Sequence, residues 1–143
     1  GRLTITHNAG PATVIPINTT DIDPLIGVTT EPEGAQGDGE VSGLAIEQSM
    51  VGVFRFVLHK NMVVEGPRAE TATHHLVMGI DVDLDRALRK TTENVVDFLV
   101  DRHKIRPSEA FSIASVAVDF TISEAVDGTQ VVTAFVPKSI FRQ

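Results

Sequence analysis

The chain has 143 residues and no cysteine, so it is long enough for one domain with a substantial core and has no disulfide framework or thiolate metal ligand. Its formal net charge of -7 argues against nucleic-acid binding through a basic face, because phosphate contacts need clustered lysine and arginine. No apolar run is long enough to span a bilayer and no signal segment opens the sequence, so we expect no membrane partner and a cytoplasmic location.

The amino-terminal residues alternate short apolar runs with turn signals. Residues 3–6 alternate with period two and predict a strand. Residues 13–17 predict a second strand, in which Pro16 favours an edge position because proline cannot donate to a sheet ladder. We assign residues 1–28 to an amino-terminal strand segment that comes from an upstream domain, and residues 29–143 to the main, carboxy-terminal domain.

Residues 41–80 predict further strands, with apolar alternation over residues 54–58 and 76–80. The clearest helix follows over residues 82–103, where apolar residues recur at helical spacing. Either Asp81 or Asp83 can cap its first turn.

A second, shorter helix begins near Pro107, a residue that suits a first helical turn. Residues 116–124 return to strand alternation, and Asp127 with Gly128 predicts a tight hairpin turn into a last strand. This order predicts an α+β fold, namely a mostly antiparallel β-sheet with two helices between strands, forming part of a larger β-rich fold.

An acidic, glycine-rich loop precedes residue 41. Gly37 and Gly39 flank Asp38 and permit positive φ and a close approach of the backbone to a ligand. In an extended chain Gln36, Asp38 and Glu40 would point the same way, and three converging oxygen groups suit a hard cation or an amide substrate. A carboxylate there could act as a general base on a metal-bound water. The alternative, which the pattern alone favours, is a solvated turn leading into the next strand.

Two other polar positions carry weaker signals. His74 and His75 are adjacent on a predicted strand and face opposite sides, so they do not readily bind one metal. Arg68 could clamp a carboxylate and Glu70 could serve the site, or the two side chains form an exposed ion pair of little energetic value.

Several short stretches between about residues 35 and 141 resemble the acetamidase/formamidase family and occur in the family's order. They are residues 35–41 (AQGDGEV), 45–47 (AIE), 67–71 (PRAET), 78–81 (MGID), 83–85 (DLD), 97–99 (DFL), 116–120 (VAVDF) and 136–141 (VPKSIF). Each stretch alone is a weak signal, but together they are specific, so residues 29–143 are identified as a domain similar to that family.

The resemblance implies a metal-assisted hydrolase that cleaves the C–N bond of short linear amides such as formamide and acetamide, giving a carboxylate and ammonia. It implies zinc or calcium as the divalent metal, a small amide as the partner, and a homodimer or larger homo-oligomer. Carried onto this sequence, the catalytic residues are Glu40 and Asp38, the substrate contacts are Gln36, Gly37, Gly39 and Glu70, and the metal ligands are Asp38, Glu40 and Glu47.

Two departures from the family keep alternatives open. Family members are longer, and the step from Val28 to Glu33 predicts a missing segment. The family usually carries a histidine shortly before the acidic loop, where this sequence has Glu33 and Gly34. A non-catalytic relative that binds a small molecule or a subunit is therefore the main alternative. A structural domain whose loop binds calcium is a third.

Overall fold

The computed structural model of the chain describes residues 2–5, 13–16, 26–30, 33–44, 46–47, 50–54 and 64–141. The chain divides into two compact units, the first formed by Gly1–Gln36 with Ala45–Met62 and the second by Gly37–Leu44 with Val63–Gln143. Most of the acidic loop therefore belongs to the unit that contains the helices. The predicted division after residue 28 stays a prediction.

In its described residues the first unit contains antiparallel strand pairs. These are β1 (Arg2–Ile5) with β2 (Thr13–Pro16), β3 (Ile26–Thr30) with β6 (Met50–Phe54), and β4 (Glu33–Ala35) with β5 (Ile46–Glu47). Both strands predicted before residue 28 are present, and Pro16 ends β2 opposite Arg2. The strand predicted over residues 54–58 lies outside the described residues beyond Phe54.

The second unit is a four-stranded sheet with two helices. Its elements are β7 (Arg68–Glu70), β8 (His74–Asp81), α1 (Leu84–His103), α2 (Pro107–Ala117), β9 (Asp119–Glu124) and β10 (Gln130–Pro137). The strand order is β7-β8-β10-β9, with every neighbouring pair antiparallel. The predicted α+β class, with two helices between strands of an antiparallel sheet, is thus confirmed. No helix in the described ranges is long and apolar enough to cross a membrane.

Alternation along β8 shows which face of the sheet the helices cover. His75, Val77 and Gly79 are buried, whereas the residues between them are partly exposed. The main apolar core contains Val77, Val95, Phe98, Leu99, Ala110, Ala114, Val118, Ala134 and Val136. A Cβ built on Gly79 would lie 2.4 Å from the backbone nitrogen of Thr91, so a glycine is needed where α1 crosses β8.

Two aspartates define the start of α1. The side chain of Asp83 accepts a hydrogen bond from the backbone N–H of Arg86 at 2.9 Å and is the N-cap. Asp81 accepts the backbone N–H of Asp83 and forms ion pairs with Arg86 at 2.9 Å and Lys90 at 2.7 Å. Of the two aspartates that the sequence offered as caps, Asp83 is the N-cap in the structure. Asp81 instead stabilises the turn that precedes the helix. The last residue of α1 is His103. Its C-cap is Lys104, whose φ of 56° is left-handed.

Candidate metal centre

The acidic loop is a turn rather than an extended segment. Gly39 has a φ of 85° and Glu40 a φ of 42°, both in the left-handed region. The backbone N–H of Glu40 donates to the carbonyl of Gly37 at 3.1 Å, and that of Gly43 donates to the carbonyl of Glu40 at 2.7 Å. These consecutive turns reverse the chain on both sides of Glu40 and set the direction of its side chain.

The loop is held against the edge strand β9. Gly39 forms an isolated parallel bridge with Glu124, and the backbone N–H of Ala125 donates to the carbonyl of Gly39 at 3.0 Å. A Cβ on Gly39 would also lie 3.3 Å from a methyl carbon of Val41. Glycine therefore suits this position both for its positive φ and for the close approach of Val41 within the loop.

This contact brings three carboxylates together. Glu40 is only 6% exposed, Glu124 is largely buried, and Asp127 is exposed in the hairpin turn between β9 and β10. One oxygen from each carboxylate lies within 4.8 Å of the other two, so the group could hold a metal ion. Asp127 has a φ of 60° and Gly128 a φ of 75°, which matches the predicted tight hairpin and turns the aspartate toward the loop.

The chemistry of these donors fits a hard divalent cation. Calcium takes carboxylate oxygens at several positions, whereas zinc sites in proteins usually include histidine or cysteine. The group contains no histidine among its members. All the donors of this group are therefore carboxylate oxygens, a ligand type that suits a hard cation.

The structure brings only some of the predicted site residues into this group. Glu40 is a member, whereas Asp38 is exposed. Gln36 and Gly37 are exposed as well, so the expectation that Gln36, Asp38 and Glu40 point the same way is wrong. That expectation assumed an extended chain, and the positive φ angles of Gly39 and Glu40 turn the last carboxylate away from the others.

Glu70 and Glu47 are the two remaining predicted residues. Glu70 is on β7 and Glu124 is on β9, which are the opposite edges of the four-stranded sheet. Three strand spacings amount to about 14 Å, so Glu70 cannot join the carboxylate group. Glu47 lies on β5 in the first unit, opposite Glu33. Their predicted roles remain predictions.

Sequence reasoning missed Glu124 and Asp127. Asp127 was explained as a turn residue, and the alternation of β9 places Glu124 on the same face as Ile122. The register of β9 shifts at this point, because Ile122 pairs with Val132 and Glu124 pairs with Val131, the neighbouring residue of β10. The alternation of apolar residues does not show such a shift. The sequence did contain one usable signal, namely two acidic residues three positions apart at a hairpin turn. Glu124 ends the strand before the turn, and Asp127 lies within it.

Histidine does not contribute to this group, and His74 and His75 behave as predicted. His74 is half-buried, and its Nδ1 lies 2.8 Å from the hydroxyl of Thr73. His75 is 6% exposed on the helix-covered face, with its ring centroid 5.2 Å from that of Phe98. The two rings thus lie on opposite faces of β8.

Comparison with known proteins gives a fold-level match. No protein-family model and no curated protein matches the sequence. The crystal structure of an acetamidase from Yersinia enterocolitica is similar over 78% of this chain, with 25% sequence identity and a TM-score of 0.67. An acetamidase from Bacillus halodurans matches over 76% with 24% identity and a TM-score of 0.64. A predicted acetamidase/formamidase from Thermoanaerobacter tengcongensis matches over 76% with 21% identity and a TM-score of 0.62.

These structures define the class of fold. The resemblance to the acetamidase/formamidase family is confirmed, since about three quarters of the chain shares the fold of these crystal structures. The chain spans only 34% to 37% of their length, as expected for part of a larger fold.

Proposed function

We propose that this chain carries part of the active site of an amidase that hydrolyses short linear amides, such as formamide and acetamide, to a carboxylate and ammonia. The observation that carries the proposal is the burial of Glu40 beside Glu124 and Asp127, within a fold shared with acetamidase structures. The loop that the family resemblance singled out thus presents a buried carboxylate in a position suited to chemistry.

In this proposal Glu40, Glu124 and Asp127 hold a divalent cation, with calcium favoured over zinc by the donor set. A bound cation supplies polarisation of the amide carbonyl and lowers the pKa of a water molecule. A carboxylate of the acidic loop takes a proton from the attacking water and passes it to the leaving nitrogen. Glu40 is the first candidate for this role, and Asp38 is the second because it lies exposed in the same loop.

Several parts of the proposal come from the family resemblance. The resemblance implies four substrate contacts, which are Gln36, Gly37, Gly39 and Glu70. It also implies that the protein assembles as a homodimer or a larger homo-oligomer. Sedimentation of the purified chain tests the assembly. A cytoplasmic location likewise stays a prediction.

Ammonia release from formamide and acetamide tests the proposed reaction. The chain is stripped of metal with a chelator and assayed with added calcium or zinc. We expect turnover that requires metal, and an activity lower by about 100-fold or more in Glu40→Gln and Glu124→Gln. Asp119→Asn removes an exposed carboxylate from the other end of β9 and is the matched control.

Calcium binding, measured by calorimetry on the same variants, separates the alternatives. Binding and a raised melting temperature without turnover of either amide would indicate a cation that only ties the loop to the hairpin. The close position of Asp127 in the hairpin turn and Glu40 in the loop favours this structural role as the second candidate. If neither metal binds and no ammonia forms, the proposal is wrong.

A further inference from the structure

A second group of charged side chains lies at the opposite edge of the same sheet, where β7 meets the carboxyl end of α1. The guanidinium carbon of Arg68 is 5.4 Å from the centroid of the Phe98 ring. That of Arg102 is 6.0 Å from the same centroid. Each of these two positive groups therefore lies near the same, nearly buried ring, and this contact restricts the motion of both side chains.

Neither arginine forms an ion pair with Glu70, although the charge of Arg102 acts on Glu70 from a distance. Nζ of Lys138 lies 2.6 Å from Oε1 of Glu70 and also donates to the carbonyl of Thr71, so the carboxylate of Glu70 is used by the lysine. In the part of the chain that the structure describes, neither Arg68 nor Arg102 forms an ion pair. Two exposed guanidinium groups that form no ion pair thus face solvent on a protein whose net charge is -7.

His75 lies beneath this group and responds to its field. Burial, and next the charge of Arg102, lower the pKa of His75, while Glu70 opposes the shift with its Oε1 4.0 Å from Nδ1. Lys138 and His103 lower it further. Because its side chain is almost fully covered, His75 senses added charge without offering a surface for contact.

We propose that Arg68 and Arg102 form a binding site for an oxyanion with two negative charges. The planar guanidinium presents parallel N–H donors that match two oxygens of a phosphate or carboxylate group. Two guanidiniums that share one ring supply two positive charges and two such donor pairs, which fits a dianion better than a singly charged ion. The packing on Phe98 holds both side chains in place before the ligand arrives, so less rotamer freedom is lost on binding.

The two arginines lie apart from the carboxylate group, and dianion binding by them does not depend on amide hydrolysis. Glu70, which the family resemblance implies as a substrate contact, is not one of the two proposed ligands. Arg68 is on β7 and Glu124 is on β9, at opposite edges of the sheet. Loss of one function therefore does not require loss of the other.

Titration of His75 by NMR in the full chain tests the proposal. Inorganic phosphate and malonate are the two probes, and acetate at equal ionic strength is the singly charged control. Comparison with His75→Gln assigns the signal. We expect phosphate or malonate to raise the pKa of His75 in a saturable manner, because bound negative charge offsets the field of Arg102. We expect acetate to have little effect.

Charge variants decide whether the two arginines form the site. Arg102→Gln and Arg68→Gln are each expected to weaken dianion binding by about tenfold or more, measured by calorimetry. Arg89→Gln removes the same charge from an exposed position of α1, about 20 Å from Arg102 along the helix. We expect this variant to bind the dianion as tightly as the unaltered chain does. Arg102→Lys keeps the charge but loses the donor fork, so its binding should be intermediate.

Two results would overturn the proposal. In one, neither phosphate nor malonate shifts the His75 signal. In the other, Arg89→Gln weakens binding as much as Arg102→Gln and Arg68→Gln do, which would indicate a general response to net charge. Because Arg68 lies on an exposed edge strand, its variant remains informative even if Arg102→Gln disturbs the packing on Phe98.

Discussion

Gly79 shows how one residue without a side chain sets the distance between a helix and a sheet. A Cβ at this position would lie 2.4 Å from the backbone nitrogen of Thr91 and 2.6 Å from the carbonyl of Ala87. Because both are helix backbone atoms, the contact cannot be relieved by a side-chain rotation. We expect Gly79→Ala to lower the free energy of unfolding by roughly 1–3 kcal/mol, as overpacking of a core does.

Urea-induced unfolding followed by circular dichroism measures this change. Gly37→Ala is the control, because a Cβ at Gly37 would meet no atom within 4 Å. Its effect should stay within about 0.5 kcal/mol, as for other surface substitutions. Equal unfolding midpoints for the two variants would show that α1 can shift on β8 without cost.

The individual site residues show where sequence reasoning succeeds and where it stops. Glu40 could be selected because two glycines and a family-like string surround it. Glu124 was missed because its register shift against β10 and its bridge to Gly39 leave no local pattern, and only its spacing from Asp127 at the hairpin turn pointed to it. The predicted roles of Asp38 stay predictions, since its side chain is exposed in the same turn and is not a member of the carboxylate group.

Secondary structure was more predictable because local interactions determine much of it. The apolar period of α1, the proline at the start of α2 and the Asp127–Gly128 turn all act over a few residues, and all are present in the fold. The pairing order β7-β8-β10-β9 was not predicted, because it depends on contacts between distant segments. The type of each element was therefore easier to predict from sequence than the order in which the strands pair.

The N-cap of α1 provides a direct test of local control. The carboxylate of Asp83 accepts the N–H of Arg86, one of the donors that a helix leaves unpaired at its first turn. Asp83→Ala should lower the free energy of unfolding by about 1 kcal/mol. Asp83→Asn retains an oxygen acceptor and should lose much less.

Chemical denaturation of the two Asp83 variants measures this difference. If Asp83→Ala and Asp83→Asn are destabilised equally, the effect comes from charge at the helix start and not from the cap hydrogen bond. In that case the interaction of Asp81 with Arg86 and Lys90 would be the more important feature of this end of α1.

The whole second unit has its charged groups arranged at opposite edges of one sheet. The carboxylates of Glu40, Glu124 and Asp127 lie beside β9, and Arg68 and Arg102 lie near Phe98 at the β7 edge. The width of the sheet keeps these opposite charges apart. Under the two proposals above, this separation would let one small unit bind a cation at one edge and an anion at the other.

The stability of the whole molecule should fall as the pH is lowered, in two stages. Burial, and next the charge of Arg102, lower the pKa values of His75 and His103 below the ordinary 6.5. The unfolded chain therefore binds protons more readily than the folded chain, and stability is lost as the pH falls below about 6.5.

The second stage comes from carboxyl groups. Hydrogen bonds from Lys138, Lys90 and Arg106 lower the pKa values of Glu70, Asp81 and Glu109, respectively, below the ordinary values of 4.5 for glutamate and 3.8 for aspartate. Stability from these contacts is present above those ordinary values and is lost as the pH falls through the lowered ones. Both stages therefore have the same sign but occupy different pH ranges.

Urea unfolding at intervals between pH 7.5 and pH 3.5 separates the two stages. In the unaltered chain we expect the unfolding midpoint to decrease first between about pH 6.5 and 5, and again below about pH 4.5. The double variant His75→Gln with His103→Gln should lose the first decrease and retain the second, which serves as an internal control. If the unaltered chain has the same unfolding midpoint at pH 5 as at pH 7.5, the assignment of the first stage to these histidines is wrong. The fold lowers the pKa values of His75 and His103, so protonating them at pH 5 must reduce stability.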